Sequence, residues 1–262
     1  MTLSPGHYSG EIIEIIRNIQ ILPYVGPDIQ SFLDTHPKND QGVYVDYPKF
    51  KIISDACKIY SEMIDILSVF QEQGFAHTDI KNSNFLINKE GKLEIADIKG
   101  IMAIEDKDKV TMEFKGGPIF SDPTIQSPEL KKIQSDGFGS CNVDKMHAFM
   151  LGKNLYQFLT GCSSSDLENI HINIDKTNPF TGQIFEGAEG RQLQNLIRNL
   201  LQENPEHRIS LSEVKYALMQ VQQKSNLQEV LNELRLKQDK FAAAIKEVPS
   251  AASFSEQGPS KP

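Results

Sequence analysis

The stretch His77-Thr78-Asp79-Ile80-Lys81-Asn82-Ser83-Asn84 gathers the residue types that handle protons and phosphoryl groups. Asp79 and Lys81 alternate, so along an extended loop both can face one substrate. A carboxylate in that position accepts a hydroxyl proton. An ammonium two residues on neutralises charge on a transferring phosphoryl group. Asn84 and Asp97 are hard oxygen donors of the type that Mg²⁺ takes, placed on either side of a predicted hairpin. The plain alternative for these four residues is a polar surface loop.

The surrounding pattern supplies elements to position them. Ile52, Ile53, Ala56, Ile59, Met63, Ile66 and Leu67 recur at the spacing of one helical face, which predicts a helix over about 48–73, with Gly74 as its C-terminal cap. Residues 85–87 and 93–95 flank Gly91 and predict a hairpin. Upstream, the β-branched runs 12–16 and 19–24 read as another hairpin, with a short helix as the alternative. Residues 97–126 keep no period and contain Gly116-Gly117-Pro118, so that stretch reads as functional or disordered. After Pro128 the helical pattern returns. Residues 148–159 are mostly apolar and read as buried all round. Ser210-x-x-Glu213 is a capping box, and a last helix follows over about 227–245. The tail 248–262 is disordered by composition.

Composition narrows the function classes. The 262 residues carry 27 Lys+Arg against 35 Asp+Glu, a formal net charge of −8, with no basic cluster. That argues against nucleic acid and against a polybasic membrane anchor. No apolar run reaches the length of a transmembrane segment, and the first residues lack a secretory signal pattern. Cys57, Cys141 and Cys162 are far apart, which disfavours a disulfide framework or a zinc site and suits a reducing compartment.

HTDIKNSN resembles the catalytic loop of protein kinases, H-x-D-x-K-x-x-N, followed at the right distance by a hairpin and a metal-binding Asp. Ser127-Pro128-Glu129 is similar to the A-P-E that closes the activation segment. Residues 147–161, HAFMLGKNLYQFLTG, look like the kinase helix that ends in L-L-T-G. Asn178-Pro179-Phe180 and Asn204-Pro205-Glu206-His207-Arg208 resemble landmarks near the domain end. The match runs in family order over about 12–222.

The resemblance implies an α+β, mainly α fold: a kinase-like helical large lobe over 26–222, a residual small-lobe hairpin and hinge over 1–25, a C-terminal helix over 223–247 and a tail over 248–262. It implies ATP and Mg²⁺ as cofactors. Asp79 would orient and deprotonate the acceptor hydroxyl, and Lys81, typical of Ser/Thr kinases, would stabilise the γ-phosphoryl. Asn84 and Asp97 would hold Mg²⁺. Tyr24 and Val25 would offer backbone groups to adenine, with Leu86 beneath it. Glu129 and Arg208 would form a buried ion pair. The partner would be a protein, and the location the cytoplasm of the producing cell or, after export, of a recipient cell.

Four departures qualify this. Thr78 stands where many kinases have Arg, which removes the usual partner of an activation-segment phosphate. The D-F-G reads Asp97-Ile98-Lys99, with Gly100 one place late as a candidate for the hinge role. His147 aligns with the Asp that normally braces the catalytic loop, so either Asp144 substitutes or the brace is lost. Finally, no G-x-G-x-x-G and no V-A-I-K precede the loop. The expectation is a Ser/Thr kinase that is weak or inactive alone; the alternative is a pseudokinase that works as a protein-binding scaffold.

Overall fold

The computed structural model describes residues 25–37, 44, 49–106, 110–174 and 178–247. The expected upstream hairpin, Tyr24 and the tail lie outside the described residues.

Asp28 caps a short helix, α1 (Ile29–Asp34), by accepting from the Ser31 amide. The helix predicted over 48–73 forms as α2 (Lys49–Glu72): Ile52, Ile53, Ala56, Met63 and Leu67 of the expected stripe are inaccessible or nearly so, Ile59 and Ile66 are partly buried, and Tyr60, outside that stripe, is buried as well. Gly74, at φ 86°, turns the chain out of it. Three two-stranded antiparallel sheets follow. β1 (Phe75–His77) pairs with β4 (Ile101–Ala103), and β2 (Phe85–Ile87) pairs with β3 (Leu93–Ile95) as the predicted hairpin. β5 (Thr111–Phe114) pairs with β6 (Gly139–Asn142). Two of these strands, β4 and β5, fall inside the stretch that shows no period. Three or four residues are too few to reveal an alternation, and their partners lie far away in sequence.

Ser127 caps α3 (Pro128–Asp136), which ends at the left-handed Gly137. α4 (Val143–Thr160) is buried along almost its whole length, as its apolar run predicts. Two short helices, α5 (Ser164–Glu168) and α6 (Ile170–Asn173), lead on to α7 (Gly187–Leu200). Gly152 lets α4 and α7 approach closely: a Cβ there would sit 2.7 Å from that of Leu200.

Ser210 and Glu213 form the reciprocal cap of α8, which runs unbroken over Leu211–Glu247. The two helices expected here are one, because neither Gly nor Pro interrupts the stretch. α2 packs on α8 and α4, and these helices enclose the core. Among the described residues no helix is long and apolar enough to cross a membrane. The mainly helical α+β class stands.

Candidate active site

The loop 78–84 is held from three sides. Behind it, β1 delivers His77 and the Thr78 amide donates to Gly100 O at 2.7 Å. Below it, buried Asn82 accepts from the Tyr60 hydroxyl of α2 at 2.8 Å and donates its amide to Asn154 Oδ1 of α4 at 2.8 Å. Asn154 Nδ2 in turn donates to Ile80 O at 2.9 Å. A polar network this deep rigidifies only because its members find partners.

Asp79, Lys81 and Asn84 converge as the sequence predicts. Lys81 Nζ lies 2.8 Å from Asp79 Oδ2, and Asn84 Nδ2 donates to Asp79 O at 2.7 Å and to Oδ2 at 3.0 Å. Sequence reasoning missed a fourth partner: the Asp122 amide donates to Asp79 Oδ1 at 2.7 Å. Burial works against the Asp79 anion. The Lys81 ammonium, the Asp122 amide and the Asn84 amide overcome it and hold the carboxyl below the usual carboxylate range.

His77 ties the backbone of Asp97 to that of Asp79, while among the described residues no hydrogen bond or ion pair joins the Asp97 carboxylate to Asp79, Lys81 or Asn84. The Asp79 amide donates to His77 Nδ1 at 3.1 Å, so Nε2 carries the hydrogen, which goes to Asp97 O at 2.7 Å. Both residues are therefore fixed by the two nitrogens of one imidazole. The Asp97 carboxylate closes a local turn by accepting from the Lys99 amide at 2.9 Å.

The departures from the kinase pattern acquire structural meaning. His147, not Asp144, braces the loop: its Nε2 accepts the His77 amide at 3.1 Å. Asp144 instead accepts from the Leu211 amide and caps α8. Burial, with neighbouring His77, pulls the His147 pKa down to about 3, so the brace is a neutral ring. Gly100 is needed for close approach: a Cβ there would lie 3.0 Å from the Asp79 amide nitrogen and 3.1 Å from the His77 ring. The Thr78 hydroxyl, in the place of the usual Arg, lies 3.0 Å from Gly100 O and 2.8 Å from Phe120 O and fastens the returning segment.

Val25 and Leu86, the predicted adenine contacts, lie on segments that meet. Ile87 N donates to Pro27 O at 2.8 Å, and Asp28 bridges Leu86. Far from the loop, Arg208 holds Glu129 by two bonds, at 2.6 and 3.2 Å, the predicted buried pair. A cleft of about 420 Å³ opens beside Lys81 and Ser83, bounded by Asp34, Asp122 and Gln157.

The signals for what was missed are modest. Lys153 and Asn154 interrupt an apolar helix, and a polar pair inside a buried run asks for partners. Nothing local marks Asp122.

A profile of the protein kinase domain matches residues 42–224. CBL-interacting serine/threonine-protein kinase 21 of Arabidopsis thaliana is 28% identical over 161 residues, covering 62% of this chain and 36% of that protein. Serine/threonine-protein kinase STK11 of Gallus gallus is 25% identical over 213 residues, 78% of this chain and 44% of that protein. The chain thus spans less than half the length of these relatives.

Proposed function

The chain belongs to the protein kinase superfamily, and from that premise we propose that it transfers the terminal phosphoryl group of Mg-ATP to a serine or threonine hydroxyl of a protein. The supporting observation is the Asp79 carboxylate. It is ionised, nearly buried and fixed by Lys81, Asn84 and the Asp122 amide, and of these partners Lys81 and Asp122 line the open cleft. A carboxyl held below the usual carboxylate range is a weak base in the ground state. Its work is to align the attacking hydroxyl and to take the proton as the O–P bond forms. Lys81, whose side chain is 30% exposed, reaches the cleft as well as Asp79 and would meet the negative charge of the transferring group.

Asn84 and Asp97 are the residues that would hold Mg²⁺. The fit is chemical: an amide oxygen and a carboxylate suit an ion that keeps waters and phosphate oxygens as its other ligands. When bound, that ion neutralises phosphate charge and orients the group for in-line displacement. Val25 and Tyr24 would offer backbone groups to adenine, and Leu86 an apolar floor.

Thermal unfolding with and without Mg-ATP tests the reading. Nucleotide at one hundred times its Kd adds about 2.7 kcal/mol, and Asp79→Asn should retain that shift while losing phosphate transfer to protein. The scaffold reading is favoured by Lys99 in the place of the usual glycine and by the Asp97 carboxylate closing a turn on the Lys99 amide. It predicts no shift at millimolar nucleotide, and that result would reject the enzyme.

A further inference from the structure

Lys153 is a cation that the site described above does not use. It lies in the middle of α4 and is fully buried. Its ammonium donates to Thr124 O at 2.6 Å and to Glu168 O at 3.1 Å, and stands 5.5 Å from the centre of the Phe149 ring. Among the described residues no carboxylate lies within ion-pair distance of it. The charged and titratable groups that face it are Lys131 of α3, the Glu168 side chain at the end of α5, Asp122 of the returning segment and His171 of α6. Burial, reinforced by Lys131, outweighs Glu168 and Asp122 and pulls the ammonium down to about 7.

A methionine would fill this space without the cost of desolvating a charge. The advantage of lysine is local, and it lies along a line of hydrogen bonds. The amide and hydroxyl of Thr124 both donate to Asp122 Oδ1, at 2.9 and 2.7 Å. The Asp122 amide donates to Asp79 Oδ1. The amides of Ile125 and Gln126 return to Asp122 O at 3.0 and 3.1 Å and close the turn. The outward face of this turn binds Asp79, and the Thr124 carbonyl on its inner side is held from α4, which is buried along almost its whole length.

We propose that Lys153 is a positioning residue: anchored in α4, it holds the Thr124 carbonyl and so fixes the 122–124 turn whose amide docks on Asp79. Its consequence for substrate alignment rests on the phosphoryl-transfer reading; the docking itself needs no nucleotide to be measured. With Thr78 on Phe120 O, it makes a second, phosphate-free fastening of the same segment.

Amide hydrogen exchange of the full chain without nucleotide, wild type against Lys153→Met, tests the proposal. Peptides spanning 119–126 should lose about tenfold in protection, the size of one hydrogen bond. The peptides of α4 and the urea midpoint should hold or rise. Unchanged protection over 119–126, or a loss shared evenly by α4, overturns the proposal.

Should Lys153→Met fail to fold, the wild type decides the matter. Between pH 6 and 8.5, corrected for intrinsic exchange, 119–126 should loosen selectively as the ammonium loses its proton and its charge-assisted bonds weaken. No selective loosening overturns the proposal. Phosphate transfer measured on the same wild-type sample separates the two readings: its absence counts against the enzyme, and the exchange result alone decides the docking.

Discussion

The backbone amide of His77 donates to Nε2 of His147 across 3.1 Å, tying the start of the 78–84 loop to the buried helix α4 through an uncharged ring. A carboxylate in this place would carry its charge into the core and need several donors. The imidazole needs one at Nε2; its Nδ1 then carries the hydrogen, 3.0 Å from the end of the Gln71 side chain. The loop is thus braced without a buried charge, and the brace depends on the ring remaining neutral.

That dependence has a sign. His147 has a folded pKa of about 3, against roughly 6.5 in the unfolded chain. Between these values the unfolded chain binds the extra proton, so stability is complete above pH 6.5 and is lost as pH falls. At pH 5 this ring alone costs about 2 kcal/mol. His171, lowered to about 4 chiefly by burial, acts in the same direction. Urea midpoints at pH 7 and pH 5 should show a smaller loss for His147→Gln, which keeps an acceptor and does not titrate. Equal losses in the two proteins would mean that His147 is already charged at pH 5.

Gly100→Ala should disturb the loop without touching its polar residues. The added methyl meets the Asp79 amide nitrogen at 3.0 Å, which is backbone, and the His77 ring at 3.1 Å. Overpacking of this kind costs about 1–3 kcal/mol. Gly91→Ala is the comparison: open space surrounds it, and only its φ of 73° is strained. Exchange of the Asp79 amide should rise in Gly100→Ala and stay unchanged in Gly91→Ala. The same rise in both variants would assign the effect to general loosening.

Much of this site is legible in the chain because the residues that touch are close in sequence. Asp79, Lys81 and Asn84 occupy one turn of extended backbone and a 3₁₀ turn, so their spacing alone brings them together. The 3.6-residue period of α2 and the apolar run of α4 are equally local signals. What the spacing hides is long-range. Asp122 reaches Asp79 from 43 residues away, and His147 reaches His77 from 70. The strands β4 and β5 exist because β1 and β6 are there to pair with them, and no local period records a distant partner. The role first considered for Asp144 failed for the same reason: sequence places it one helical turn from His147, but its partner, Leu211, arrives from another helix.

The Glu129–Arg208 pair should behave as a buried pair. The Arg208 side chain is inaccessible and that of Glu129 is 14% exposed. Arg208 also donates to Lys145 O and Gln202 O and lies 4.8 Å from the centre of the Phe149 ring. Glu129→Ala leaves that guanidinium without its counter-charge and should cost about 3–5 kcal/mol. Denaturation at low and high salt should give the same loss, because buried pairs are little screened. The double variant Glu129→Ala, Arg208→Met should recover part of it. No recovery would show that Arg208 acts through its carbonyl contacts and not through Glu129.

Gly26 offers the sharpest separation between folding and nucleotide binding. A Cβ at this position would fall 1.9 Å from the Ile87 carbonyl oxygen, so Gly26→Ala must push the 25–27 segment away from β2. The Ile87 amide would then lose Pro27 O, and the distance between Val25 and Leu86 would change. The core on α2, α4 and α8 lies elsewhere, so the unfolding free energy read from urea denaturation should fall by about 1 kcal/mol or less, the size of one exposed hydrogen bond. Affinity for Mg-ATP, read as a thermal shift or by calorimetry, should fall by at least about tenfold if adenine sits between these segments. Undiminished affinity in a folded Gly26→Ala protein would move the adenine site away from Val25 and Leu86. It would leave the assignment of Asp79, Lys81, Asn84 and Asp97 to be judged on phosphate transfer alone.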